Sequence, residues 1–226
     1  MNDLIVGNKL FENLHLGDVI DQFKHITRCN MSLPVGHNGT KFGSLALCSH
    51  MYKNIITDKV SKEEFKKRYC RTLACWMRSE DIDYFFKHFS PKKFNKCFYA
   101  ESVGQRNIFN QYLKSIGSPI GFKRSCRTGY AVCLQKIIEG KNKVFVSHFS
   151  ILKNEPRHSW YIQKGKSKSP CHDDDSEISV LRWLHQNNKI DASLCLLKDS
   201  DNIEFEDDEL KPSQYIQGLL NKIYEK

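Results

Sequence analysis

Glu155 stands in the segment SHFSILKNEPRHSWY, residues 147–161, with Lys153 two positions before it and Arg157 two positions after. On extended backbone, residues two apart project to one side, so these three charges would share a face. Cationic neighbours keep a carboxylate ionised, and a Lys beside an Arg offers charge-assisted donors to a phosphate or pyrophosphate. An ionised acid placed in that way can hold hydroxyls or stabilise a developing positive centre. The competing reading is a structural ion pair within one strand. Pro156 removes an N–H and confines the stretch to a sheet edge, bulge or loop, and it biases Glu155 to extended geometry.

The surroundings of this acid are strongly basic. From Tyr84 to Pro170 the chain carries 13 Lys and 4 Arg against Glu101, Glu139 and Glu155, a net of +14. Residues 1–83 net +2 and residues 171–226 net −7, which together give the +9 of the whole chain. A field of that sign attracts nucleotides, nucleic acid or an acidic protein partner. Lys92, Lys93, Lys96, Arg106, Lys123, Arg124 and Arg127 could meet phosphates while Phe94, Phe98, Tyr99 and Phe122 stack on bases, so a nucleic-acid-binding protein is an alternative function. A non-enzymatic effector whose basic face receives an acidic protein is another. Docking of the acidic C-terminal part on the basic middle would explain the segregation with no ligand.

Nine cysteines are present, with no CxxC, and the pairs Cys70/Cys75 and Cys126/Cys133 lack zinc-knuckle spacing, so no metal site is expected. Reduced, mostly buried thiols in a cytoplasmic, reducing compartment fit this usage, with export by a specialised secretion machine as an effector the other setting considered. Cys29 lies four residues after His25 and Cys171 adjoins His172, which leaves a Cys–His nucleophile as the thiol alternative. The Gly/His/Asn-rich stretch from Ser32 to Gly43 reads as a loop whose glycine spacing matches neither the P-loop nor the dinucleotide fingerprint. No run reaches the 18 uncharged apolar residues of a membrane span, and Asp3, Lys9, Glu12 and His15 interrupt the start where a signal peptide needs an apolar stretch.

The elements that must position these residues are mixed in type. Asn8 to Phe23 carries apolar residues at helical spacings, Ser61 opens a helix through its pairing with Glu64, and Asp81 to Phe89 forms an amphipathic helix. Arg71–Met77, Phe98–Ser102, Tyr130–Leu134, Val144–Phe149, Trp160–Ile162 and Asp191–Leu197 read as strands, with a helix over Asn107–Ile116. Ser176–Gln186 suits a helix, and Pro212 opens a terminal one along Tyr215, Ile216, Leu219, Leu220 and Ile223. The order predicts an α+β fold with a distorted central mixed sheet, flanking helices and an acidic C-terminal helical extension. The Lys/Ser/Gly loop at 164–169 marks the boundary between a basic domain, 1–169, and the extension, 170–226, unless the two fold as one.

Cys75-Trp76, then Glu80, Asp81, Asp83, Phe86 and Phe89, then Tyr99 to Ser102, followed by Lys153, Glu155 and Arg157, resemble a bacterial family known as domain of unknown function 2971. The likeness covers roughly residues 70–165. Phe86 and Phe89 replace the family's Trp and Tyr, and Pro156 departs from its Glu-x-Arg element. The family has been linked to ADP-ribosyltransferases, so the resemblance implies NAD as cofactor and transfer of ADP-ribose by a toxin or effector. It implies Glu155 as the carboxylate facing an oxocarbenium-like centre. Trp76 and Phe86 would stack on the cofactor, Ser102 would bond its ribose, and Lys153 and Arg157 would hold its pyrophosphate. His25 and Arg28 would supply the cationic or imidazole group on a first strand.

Overall fold

A computed structural model describes residues 2–9, 14–30, 38–41, 43–47, 74–76, 96–98, 104–152, 172–200, 202–206 and 209–224, with only the backbone described at 74–76 and 96–98. Leu4-Ile5-Val6 and Val144-Phe145-Val146 are apolar runs without alternation, which is what a parallel strand covered on both faces requires. They form β1 (Asn2–Val6) and β6 (Lys143–Ser147), paired in parallel. With β2 (His25–Cys29), β3 (Ser44–Ala46), β4 (Ala74–Trp76) and β5 (Lys96–Phe98) they make a six-stranded sheet in the order β5-β4-β3-β2-β1-β6, parallel at every pairing. The chain steps outward from β1 to β5, then returns across the sheet to place β6 on the other side of β1.

Both faces are covered by helices. Ile5, Val144 and Val146 pack with Phe109 and Leu113 of α2 (Gln105–Ser115), Tyr130 to Leu134 of α3 (Thr128–Glu139), and Val180, Leu181 and Leu184 of α4 (Asp174–Gln186). Leu4, Val6 and Phe145 face the other way, onto Val19 and Ile20 of α1 (Gly17–Ile20) and Ile216 and Leu220 of α5 (Gln214–Tyr224). Phe23 meets the Phe145 ring edge-on at 5.1 Å. A small antiparallel pair, β7 (Leu197–Asp199) and β8 (Glu204–Phe205), completes an α+β fold with sheets of both kinds, as expected. The helices of the C-terminal region, acidic α4 and α5, pack in one layer each. No described helix is long and apolar enough to cross a membrane.

Several local expectations differ. Tyr130–Leu134 is helix, not strand. Tyr130, Cys133, Leu134 and Ile137 are spaced for one helical face, and Gly140, at φ +63°, ends the helix by donating to the Ile137 carbonyl at 3.0 Å. β1, β2 and β3 were not among the predicted strands, and of Asn8–Phe23 only Gly17–Ile20 is helical among the described residues. Asp191 makes a lone bridge to Phe145, and a 3-10 turn over Ser193–Cys195 separates it from β7. The helices expected at Ser61 and at Asp81–Phe89, and the strand at Trp160–Ile162, lie outside the described residues.

The terminal helix is set by a polar knot rather than by Pro212. Buried Asp191 accepts from the Ser193 N–H at 3.1 Å and from the hydroxyls of Ser193 and Ser213, and Ser213 Oγ accepts the Ile216 N–H at 3.2 Å as the cap of α5. Ser213→Ala removes both roles and is expected to lower stability by about 1 kcal/mol in urea unfolding.

Candidate functional site

The strand order reverses between β1 and β6, whose carboxyl ends stay hydrogen-bonded as far as Lys9 and His148. In open parallel sheets, connections on either side of such a point run to opposite faces and leave a crevice. Here the crevice is lined by Gly7 and Asn8 after β1, Cys29 at the end of β2 and Asn30 beyond it, His148 to Ser150 after β6, and the start of α3, with Asp174 and Ile178 of α4 at its side.

Two glycines permit this closeness. The Gly7 N–H donates to the Ser147 carbonyl at 2.8 Å, and a Cβ on Gly7 would fall 2.3 Å from the His148 carbonyl oxygen. A Cβ on Gly129 would lie 2.7 Å from the Phe149 ring and 3.6 Å from Cys29 Sγ. The first turn of α3 therefore rests directly on the crevice floor, where Tyr130 meets Phe149 edge-on at 5.4 Å. The turns that carry the floor are tight. Asn30 and His148 adopt left-handed backbone, at φ +53° and +61°, and the His148 Nδ1 lies 2.7 Å from Ser147 Oγ.

The charge of the crevice comes from the start of α3. Arg127 is the extended residue before its first turn, no side chain caps the helix locally, and no acid lies in that turn. Helix N-termini of this kind present N–H groups and a partial positive charge to an anion. The Arg127 N–H instead donates to Glu177 Oε1 of α4 at 2.6 Å, and the Arg127 guanidinium pairs with Asp174 and Glu177. Burial pushes the Glu177 carboxyl up to about 7, against the opposing pull of Arg127. His172 lies just before α4, its Nδ1 2.6 Å from the Ser125 carbonyl oxygen and 3.9 Å from Glu177 Oε1. The start of α4 is self-satisfied, since Asp173 accepts the Ser176 N–H at 2.9 Å and its carboxyl is thereby held below its usual range.

The residues singled out from the sequence distribute differently. Glu155, Lys153, Arg157, Phe86, Ser102, Lys92 and Lys93 lie outside the described residues. Trp76 ends β4 on the same edge of the sheet as the crevice, and Lys96 begins β5 on the opposite edge. His25 is exposed at the amino end of β2, while Cys29 is buried at its carboxyl end, so four residues of strand, about 13 Å, separate the pair expected as a nucleophile. Arg28, 1% exposed, spends its guanidinium on the carbonyls of Lys41 at 3.0 Å and Asn38 at 3.1 Å, holding a loop rather than a cofactor. Arg106 donates to the Lys123 carbonyl at 3.0 Å beside exposed Lys123 and Arg124. Arg127, assigned to nucleic acid from the sequence, belongs to the crevice and is matched by two acids. Cys29, Cys126, Cys133 and Cys195 are free thiols as expected, with burial pushing Cys126 and Cys133 far up and Cys195 up to about 12.

Sequence reasoning missed Gly7, Asn8, Asn30, Thr128, Gly129 and His148. The signal that could have found the first two is an apolar run ending in Gly-Asn, the pattern of a buried strand entering a tight turn.

No family model matches the chain, and no curated protein sequence matches it. Among solved structures, the fold is similar to a point variant of the sialyltransferase CST-II in complex with CMP, with 15% identity, 97% of this chain and 98% of that chain covered, and a TM-score of 0.53. It is similar as well to a variant of the α-2,3/8-sialyltransferase CstII, with 16% identity, 96% and 99% coverage, and a TM-score of 0.50. CstII from Campylobacter jejuni, solved with the substrate analogue CMP-3FNeuAc, matches at 16% identity with 98% of each chain covered and a TM-score of 0.49. Identities this low speak for the fold. The fold corrects the expectation of an NAD-using ADP-ribosyltransferase: the proteins it matches are sialyltransferases, one of them solved with CMP, so NAD and ADP-ribose transfer are withdrawn as cofactor and reaction.

Proposed function

We propose that this protein is a glycosyltransferase that takes a CMP-activated sugar, with the crevice at the carboxyl ends of β1 and β6 as its donor site. The observation that carries this reading is the crevice itself: it lies at the switch point of a parallel sheet, and a helix start without a local side-chain cap closes one side. That is where nucleotides bind in open α/β sheets. The fold likeness to CMP-bound sialyltransferase over 97% of the chain supports CMP as the nucleotide and a sialyl-type sugar as the group transferred.

The chemistry fits the groups present. Breaking the bond between the anomeric carbon and the CMP oxygen sends the electron pair to the phosphate, which leaves as CMP. The N–H groups at the start of α3 face the charge that develops there. An acceptor hydroxyl attacks the anomeric carbon and gives its proton to a base. One imidazole lines the site, and a second lies two residues before the lining residue Asp174. His148 is buried on the floor, whereas the His172 side chain, outside the lining, is 21% exposed and open to an acceptor arriving from solvent. The Ser125 carbonyl accepts from His172 Nδ1, which leaves Nε2 as the basic nitrogen. His172 is therefore assigned as the general base.

Calorimetric titration with CMP, followed by release of CMP from a CMP-sugar with a saccharide acceptor present, tests the reading. His172→Ala is expected to keep CMP affinity and to lose 10²-fold or more, roughly, in transfer. Absence of CMP binding at millimolar concentration sinks the proposal, and equal transfer by the variant removes His172 from it.

A further inference from the structure

Glu177 is 1% exposed and contacts Arg127, which lines the crevice. Arg127 faces it with both its backbone N–H and its guanidinium. The Tyr130 hydroxyl and the Cys126 thiol feel its charge from the adjoining turn and helix. On its own side stand Asp174 and the His172 imidazole. This is a long-range cap: the acceptor for the residue that begins α3 comes from 50 positions further along the chain.

We propose that Glu177 is a positioning residue, which clamps the first turn of α3 in place and, through its own protonation, sets how strongly the crevice holds an anion. The anion part of this inference rests on the crevice being the nucleotide site. The clamp is needed because Arg127 has no local cap, so without Glu177 its N–H would be left without its acceptor and the turn that faces the ligand would fray. The charge matters because Arg127 stands between two carboxylates. The three groups sum to −1 when both acids are ionised and to zero when Glu177 carries a proton. A phosphate then meets less repulsion, and by linkage its binding draws a proton onto the protein. Burial holds the Glu177 carboxyl near neutrality, so both forms are populated at ordinary pH.

The test titrates CMP, and inorganic phosphate as a second probe, into the parent, Glu177→Gln and Glu177→Ala between pH 6 and 8. Amide exchange over residues 127–131 is followed in each protein without ligand. Glutamine keeps an acceptor for the Arg127 N–H but cannot ionise. It is expected to keep exchange protection, to match the parent at pH 6, to bind more tightly than the parent at pH 8, and to lose roughly tenfold of the parent's pH dependence. The nucleotide phosphate titrates with both proteins, so the difference between them reports Glu177. Alanine is expected to speed exchange over 127–131 and to weaken both probes at every pH. An identical pH slope in the Gln variant, or unchanged protection in the Ala variant, overturns the proposal. If no protein binds either probe, the anion part falls together with the nucleotide reading, while the exchange result still decides the clamp.

Discussion

Gly7→Ala is expected to destabilise the protein by about 3 kcal/mol and to abolish ligand binding in the crevice. The added methyl would sit 2.3 Å from the His148 carbonyl oxygen and 3.0 Å from the Phe149 ring. The nearer obstacle is backbone, so no side-chain rotation relieves it. The strand ends must part, which breaks the 2.8 Å bond from the Gly7 N–H to Ser147 and lifts His148 off the floor. Overpacking against a rigid neighbour lies at the upper end of what single core substitutions cost. For a chain of this size that corresponds to a fall in Tm of roughly 9 °C. Gly218→Ala is the control. Gly218 is exposed within α5 with nothing within 4 Å of its Cβ position, so alanine there should stabilise by about 1 kcal/mol through helix propensity. Thermal unfolding of the two variants beside the parent decides the matter, and equal melting temperatures would show that the strand ends yield freely.

Stability should fall as pH rises from about 5 to 8, the reverse of the usual carboxylate pattern. The Glu177 carboxyl goes from 4.5 to about 7 on folding because burial disfavours its charge more than Arg127 favours it. A raised acid pKa means that the folded state binds the extra proton, so its stabilisation is full below 4.5 and is lost through about 7. The size is about 3 kcal/mol at 1.36 kcal/mol per pKa unit. Asp21 and Asp173 act in the opposite sense, since their carboxyls lie below the usual range and their stabilisation is lost only on acidification. Their window lies below that of Glu177, so the two effects separate along the pH axis. Urea unfolding of the parent and Glu177→Gln at pH 5, 6, 7 and 8 reads this directly. The variant should be nearly flat, and a slope equal to the parent's would mean that Glu177 stays ionised throughout.

Local patterns in the sequence carried much of the framework. The helices at Gln105–Ser115 and Asp174–Gln186 and the strands β4 and β6 follow from apolar spacing and chain breakers a few residues apart. The α+β class follows from their order. Burial of Cys29, Cys133 and Cys195 follows from their type. The segregation of charge was legible too, and part of it resolves into the pairing of Arg127 with Asp174 and Glu177. The function read from short motifs did not survive, because a Trp here and a Glu-x-Arg there hold no information on which ends of which strands meet.

The crevice was decided by tertiary structure alone. Its lining comes from residues near 7, 30, 128, 148 and 174, and no two of these stretches are adjacent in the chain. Parallel pairing brings the ends of β1, β2 and β6 to one edge, and the start of α3 closes over them to make the crevice. Tyr130–Leu134 shows the same limit at smaller scale: a five-residue apolar run suits a strand or a buried helix equally, and packing of α3 against Phe149 and α4 selects the helix. Residue types and short spacings determine which segments can be buried. Which buried segments become neighbours depends on contacts between residues far apart in sequence, and the chemistry of this protein lies in those contacts.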